Sequence, residues 1–133
     1  MNPPFADTCF WIALMSPRDD LHHKARALSK QHARIITSQE VLSEFMNFFC
    51  GRGDQLRQTA VQLARTIQNN KNITVLEQTS KSFSQGMDLY ANRVDKEYSL
   101  IDCASMAAMK ERKIFQILTN DHHFAQEGFE ILM

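Results

Sequence analysis

Glycine and proline are scarce, with four and three residues in a chain of 133. So few breakers leave little room for linkers, and a single domain over residues 1–133 is expected. Neither an internal repeat nor a low-complexity tract is present. Cysteine is equally sparse: Cys9, Cys50 and Cys103 are odd in number, widely spaced and form no Cys-x-x-Cys. That pattern excludes a disulfide framework and predicts reduced thiols in a cytoplasmic protein. No run approaches the roughly 18 apolar residues of a membrane span, and no basic segment leads into an apolar one at the N-terminus. No membrane segment, secretory leader or appended tail is therefore expected. An excess of one charge is missing too, because fifteen Lys plus Arg balance fifteen Asp plus Glu. A general phosphate binder usually carries a basic excess, so the balance argues at first sight against nucleic acid.

What is present is an ordinary globular composition, 44% apolar and 23% charged. It excludes disorder as the main state and supplies a core that needs no metal or disulfide to fold. Phe5-Ala6-Asp7-Thr8 predicts a short buried first strand. Ser16-Pro17-Arg18-Asp19 predicts a helix start, followed at helical spacing by Leu21, Ala25 and Leu28. A strand is expected over 33–36, a capping box from Thr37 to Glu40, and a helix over 41–49 that Gly51 and Gly53 stop. Asp54 can cap the next helix, whose Leu56, Ala60, Leu63 and Ile67 share a face. A turn at 69–72 precedes a β-branched strand over 73–76. Thr79 or Ser80 opens a helix carrying Phe83, Met87 and Tyr90; a further helix spans 99–113, and strands span 114–119 and 129–132. Strands separated by helices predict an α/β domain with a largely parallel sheet.

Three acids stand out by position. Asp7 ends the first strand, Asp121 follows the strand that ends at Thr119, and Asp102 lies in the first turn of the helix opened by Ser99. In an open α/β sheet, ligands bind beyond the carboxyl ends of strands. Glu44, at the edge of the stripe formed by Leu42, Phe45, Met46 and Phe49, is a fourth candidate. Four converging carboxylates repel one another unless cations neutralise them, and hard divalent ions such as Mg²⁺ or Mn²⁺ suit all-oxygen donors. Each acid also has a plainer role: Asp102 completes a capping box with Ser99, Asp121 is a turn residue, and Glu44 is a solvated helix edge. Asp7 resists such a reading, because a carboxylate inside a short apolar strand is costly without a partner.

In order along the chain, these residues fall into a known pattern. Phe5-Ala6-Asp7-Thr8 resembles the opening strand of PIN domains, and the run from Thr37 to Glu44 resembles the family's second motif, ending on its glutamate. Asp95 to Cys103 resembles the third motif, and Leu118 to Phe124 followed by Gly128-Phe129 resembles the fourth. The size is most similar to that of VapC-type toxins of toxin–antitoxin pairs. The resemblance implies a three-layer α/β/α fold with a mostly parallel sheet of about five strands. It also implies an Mg²⁺- or Mn²⁺-dependent ribonuclease with one or two ions, an antitoxin partner and a homodimer. Asp7, Glu44, Asp102 and Asp121 become the catalytic, metal-binding set. Thr8, Ser99 and Thr119 match hydroxyl positions that orient a carboxylate or a water. Asn47, one helical turn from Glu44, could face the same pocket. The implied chemistry is in-line hydrolysis of an RNA phosphodiester by a metal-activated water, leaving 5′-phosphate and 3′-hydroxyl ends. A housekeeping PIN nuclease in RNA processing and a catalytically silent nucleic-acid-binding domain are the alternatives, and the presence of all four acids disfavours the silent one.

Other features receive plainer readings. Adjacent histidines diverge on a helix, and no Cys or His partner stands at ligand spacing, so His22-His23 and His122-His123 are expected on the surface, with His122 or His123 near enough to Asp121 to touch RNA. Trp11, Ile12, Leu14, Phe45, Phe48 and Phe49 make the early half unusually apolar; most are expected in the core, with any surplus available to a partner. Lys110, Arg112 and Lys113 end a helix and favour its dipole. Setting the four pocket acids apart leaves fifteen bases against eleven acids elsewhere. The balanced charge therefore fits an RNA enzyme whose affinity for phosphate depends on metal.

Overall fold

The first strand is shorter than its sequence suggests. In the computed structural model, which describes residues 2–133, β1 is Phe5–Ala6 alone, and Asp7 is already the N-cap of helix α1, Thr8–Met15. The sequence reading missed α1 because Thr8-Cys9-Phe10-Trp11-Ile12-Ala13-Leu14-Met15 is apolar all round. A helix buried on several sides carries no amphipathic period, and Phe10, Trp11 and Ala13 are all buried here. The expected helix start at Ser16-Pro17 is also corrected. Ser16 caps the C-terminal end of α1, and helix α2 begins six residues later, at His22–Gln31. The turn-forming chemistry of that segment is spent locally: Asp19 N–H donates to Ser16 O, and Asp19 Oδ1 accepts from Leu21 N–H.

Strand β2 is Ile35–Ser38 and helix α3 is Gln39–Phe49, with Ser38 rather than Thr37 as the cap that accepts from Val41 N–H. Thr37 is drawn inward instead. Its hydroxyl donates to Ala6 O and accepts from Trp11 Nε1–H, which satisfies three buried polar groups at once. Helix α4, Asp54–Asn69, has Gly53 as N-cap at φ 99°, a left-handed conformation that glycine adopts without strain. It is followed by β3 (Ile73–Leu76), α5 (Ser80–Asn92) and α6 (Leu100–Arg112). Both α5 and α6 open on capping boxes, Thr79 with Ser82 and Ser99 with Asp102. The chain ends on β4 (Gln116–Leu118), α7 (His123–Gln126) and β5 (Glu130–Ile131).

The five strands form one sheet in the order β3-β2-β1-β4-β5, every pairing parallel. By the right-handed crossover rule, the steps β1 to β2 to β3 carry α1–α4 over one face, and the return to β4 carries α5 and α6 over the other. That gives three layers. The helices pair as α1 with α2, α3 with α4 and α5 with α6. Gly86 of α5 lets the last pair approach so closely that a Cβ there would meet Ala104 at 3.2 Å. The core is built from Phe5, Phe10, Trp11, Phe45, Met106, Ile117, Leu118 and Phe124, all at most 2% exposed. Burying each stabilises the fold by about 1.5–3 kcal/mol. Strand order reverses between β1 and β4, and the crevice beyond their carboxyl ends is where such folds bind ligands. The residues that follow these two strands are Asp7 and the segment from Thr119 to Asp121.

Candidate active site

Asp7, Glu44, Asp102 and Asp121 all line one open cleft of about 490 Å³ at this switch point, together with Thr8, Cys9 and Ser99. Each acid arrives on a different element. Asp7 leaves β1, Glu44 projects from α3, Asp102 sits in the first turn of α6, and Asp121 follows β4.

Each carboxylate is gripped by a neighbour. Thr8 Oγ1 donates to Glu44 Oε1, which fixes α3 against the start of α1. Ser99 N–H donates to Asp102 Oδ2 at 3.1 Å while Ser99 Oγ accepts from Asp102 N–H at 3.0 Å. The capping box and the site residue are therefore the same Asp102, and the two sequence readings do not compete. Asp121 Oδ1 accepts from His123 N–H at 2.9 Å. Thr119, fully buried, is the most connected: its hydroxyl donates to Asp7 Oδ2 at 3.0 Å and accepts from Asp121 N–H at 3.1 Å. Cys9 Sγ lies 3.0 Å from the same oxygen. Since Thr119 gives its one proton to Asp7, the Cys9 thiol must be the donor there. Burial, with the Asp7 charge beside it, pushes that thiol up to about 11, so it stays protonated.

Asp7 is 5% exposed, and its Oδ1 is buried with no hydrogen-bond partner. Burial pushes its carboxyl up to about 7, and the charges of Asp102 and Glu44 add to the rise, against the Thr8 backbone N–H and the Thr119 hydroxyl, which lower it. Asp102 is also held above its usual range, by burial first and then by the Asp121 and Glu44 charges, against the lowering effect of the Ser99 backbone N–H. A cleft with crowded, desolvated carboxylates and an unpartnered buried oxygen has the donor chemistry of a divalent-cation site.

Two expectations change. Asn47 is exposed and is not among the residues lining the cleft. His123 is not a surface histidine: its side chain is 23% exposed, and its Nδ1 lies 3.2 Å from Asp121 Oδ1 and 3.9 Å from Asp102 Oδ2. Adjacent histidines do diverge, but the turn at Asp121 folds the second one back. Its ring meets Tyr98 edge-on at 5.5 Å and His122 at 4.8 Å. The spacing Asp121-x-His123, an Asx turn ahead of a short helix, was the signal available in the sequence.

The web around Thr119 carries an expected result. Thr119→Val should weaken divalent-cation binding about 10- to 100-fold, with Thr119→Ser restoring most of it. Equal affinities in both variants would show that the hydroxyl does not position Asp7.

The sequence model of the PIN domain matches residues 5–130. The 23S rRNA-specific endonuclease VapC20 of Mycobacterium tuberculosis is 28% identical over 129 residues, 94% of each chain. The crystal structure of VapC20, described as a sarcin–ricin loop cleaving toxin, superposes with a TM-score of 0.83 over 94% of this chain and 95% of that one. The fold is also that of VapBC from Salmonella typhimurium, at 13% identity and a TM-score of 0.67 over 98% and 97% of the two chains. VapBC2 of Rickettsia felis, at 12% identity, has a TM-score of 0.66 over 96% and 95%. The five-strand parallel order, the acids at its switch point and a match over nearly the whole sequence agree, and this chain belongs to the PIN domain family.

Proposed function

We propose that this chain is a divalent-metal-dependent endoribonuclease and the toxin of a toxin–antitoxin pair. The observation that carries this reading is the convergence of Asp7, Glu44, Asp102 and Asp121 on one cleft, with a buried Asp7 oxygen left for a ligand. These four carboxylates would hold Mg²⁺ or Mn²⁺, as one or two ions. Such an ion supplies an activated water at neutral pH and stabilises charge on a phosphoryl group. The chain's own part is positioning. Thr119, Thr8 and Ser99 fix Asp7, Glu44 and Asp102 before substrate arrives, so little reorganisation is left for the reaction itself. Without the cation, the clustered negative charge repels an RNA backbone, so binding and cleavage both depend on metal.

The RNA follows from likeness to VapC20: ribosomal RNA, with the sarcin–ricin loop as the first substrate to test. An antitoxin that covers the cleft, a homodimer and a cytoplasmic location complete the proposal. An exposed apolar row on α5, Phe83, Met87 and Tyr90, supports association with another chain. No helix among the described residues is long and apolar enough to cross a membrane.

Purified protein should cut a sarcin–ricin hairpin or intact ribosomal RNA in Mg²⁺ or Mn²⁺, leave 5′-phosphate ends, and stop in chelator. Undiminished cleavage in chelator would remove the metal from the proposal. Absence of cleavage of any cellular RNA, with metal bound, would remove the nuclease.

A further inference from the structure

The geometry points to a nitrogen ligand beside the acid cleft: we infer that His123 Nδ1 joins Asp102 and Asp121 in holding the cation and biases this site toward Mn²⁺ over Mg²⁺. The inference rests on the reading of the cleft as a metal site and deepens it. Asp102, Asp121 and His123 each offer one donor atom, and the three lie within 4.8 Å of one another. Nδ1 is buried and makes no hydrogen bond, although Asp121 Oδ1 is only 3.2 Å away. Its proximity to that oxygen is thus not the alignment of a donor with an acceptor. Neighbouring ligands on an octahedral ion at about 2.1 Å stand about 3 Å apart, close to this separation.

A second observation points to the same ligand. Asp7 Oδ1, on a residue 5% exposed that lines the same cleft, is also buried and unpartnered. His123 does not itself line that cleft, but the two carboxylates its Nδ1 approaches do. A nitrogen and an oxygen left unmet around the same acids call for a group that accepts electron pairs from both, which a water or an RNA hydroxyl meets less well than a divalent ion. Local structure delivers the nitrogen. The His123 N–H bond to Asp121 Oδ1 closes the turn that brings the ring toward the carboxylates, where Tyr98 meets it edge-on and His122 packs at a tilt. The oxygens nearest Nδ1, Asp102 Oδ2 and Asp121 Oδ1, also accept the Ser99 and His123 backbone N–H bonds, which orient them and leave each a second lone pair for the ion. Mg²⁺ prefers oxygen donors and sheds water reluctantly, so an imidazole adds little to its binding. The softer Mn²⁺ accepts nitrogen more readily.

The test reads the ligand rather than turnover. Full-length protein loaded with Mn²⁺ is examined by electron spin-echo spectroscopy, and the metal affinity is measured separately. Nitrogen modulation is expected in the wild type, and it should change character when histidine is labelled with ¹⁵N. It should survive His122→Gln and vanish in His123→Gln. In His123→Gln the Mn²⁺ affinity should fall about tenfold while that for Mg²⁺ changes less than about twofold. Bound Mn²⁺ without nitrogen modulation would overturn the inference and leave the oxygen-ligand site standing, with His123 only positioning Asp121. Modulation that persists in His123→Gln would assign the nitrogen elsewhere. Failure of Mn²⁺ to bind at all would overturn the metal reading with it. If His123→Gln fails to fold, a wild-type spectrum without nitrogen modulation still overturns the inference, and His123→Ala supplies the second variant.

Discussion

Asp7→Asn is expected to abolish metal-dependent cleavage, by at least about 10³-fold in kcat/KM, and at the same time to stabilise the metal-free protein. The two effects have one cause. Asp7 sits 5% exposed beneath three other carboxylates, so its charge is useful only when a cation meets it. Asparagine keeps the shape and still accepts from the Thr119 hydroxyl through its carbonyl oxygen, so the fold is retained. It cannot supply the negative charge.

The sign of the stability effect follows from proton linkage. The Asp7 carboxyl is raised from 3.8 to about 7 in the folded chain. Between those values the folded state binds more protons than the unfolded one. The contribution of Asp7 to metal-free stability is therefore fully present below about pH 4 and is lost as pH rises toward 7. Asp102, raised in the same direction, adds to that slope. At pH 8 in chelator, Asp7→Asn should be about 2 kcal/mol more stable than the wild type, and at about pH 4 the gap should largely close. Adding Mn²⁺ or Mg²⁺ should raise the wild-type Tm at pH 8 and reduce the variant's advantage. Thermal unfolding at the two pH values, with and without metal, measures all of this. A variant less stable than wild type at pH 8 would mean that Asp7 is not strained without its ligand, and full cleavage by the variant would sink the assignment of the site.

Asp102 and Glu127 show what could be read from sequence and what could not. The α6 capping box was legible because Ser99 and Asp102 are three residues apart, and the chemistry of a helix start is local. Asp7 was legible because a carboxylate in an apolar strand is an anomaly that demands a partner. The sheet could be inferred from alternating elements, but its boundaries could not: β1 has two residues, and the following helix lacks the polar face that would have announced it. His123 needed a turn to fold it back onto Asp121. Phe83, Met87 and Tyr90 lie at helical spacing on α5 yet are 48%, 43% and 56% exposed, so their row does not reveal what it faces. Glu127 was invisible for a different reason. Nothing in Gln126-Glu127-Gly128 distinguishes it from a solvated glutamate, because its partners come from residues 93, 98 and 110.

Glu127 is expected to carry the largest single contribution to stability made by any ion pair in the structure. It ends α7 with its side chain only 7% exposed. It accepts from two N–H donors of the Arg93 guanidinium, Nη2 at 2.7 Å and Nε at 3.0 Å, as well as from Tyr98 OH at 3.1 Å and Lys110 Nζ at 2.5 Å. These contacts join the end of α5, the segment before α6, α6 itself and the strand-end region of β4–β5. The Arg93 hydrogen bonds, then Lys110 and Tyr98, hold the carboxyl down at about 2 against the opposing effect of its own burial. Removing a buried pair's partner costs about 3–5 kcal/mol, but Arg93 and Lys110 side chains are 33% and 42% exposed and recover part of their hydration. Glu127→Ala should therefore cost about 3 kcal/mol, or about 10 °C in Tm. Glu127→Gln should cost less, because its carbonyl still accepts from Arg93 while its amide meets a cation. By contrast, the Lys81–Glu111 pair, with side chains 71% and 51% exposed, should yield at most about 0.5 kcal/mol in Glu111→Gln. Because the folded carboxyl lies below its unfolded value of 4.5, this contribution is present above that pH and lost as pH falls toward 2. Acid unfolding curves of the wild type and Glu127→Gln should thus converge only toward about pH 2, a region where Asp7 and Asp102 no longer oppose folding. The site should feel the change as well, since Tyr98 loses the acceptor that anchors it while its ring still abuts His123. A Glu127→Ala protein as stable as Glu111→Gln would mean that the buried carboxylate only balances its own desolvation.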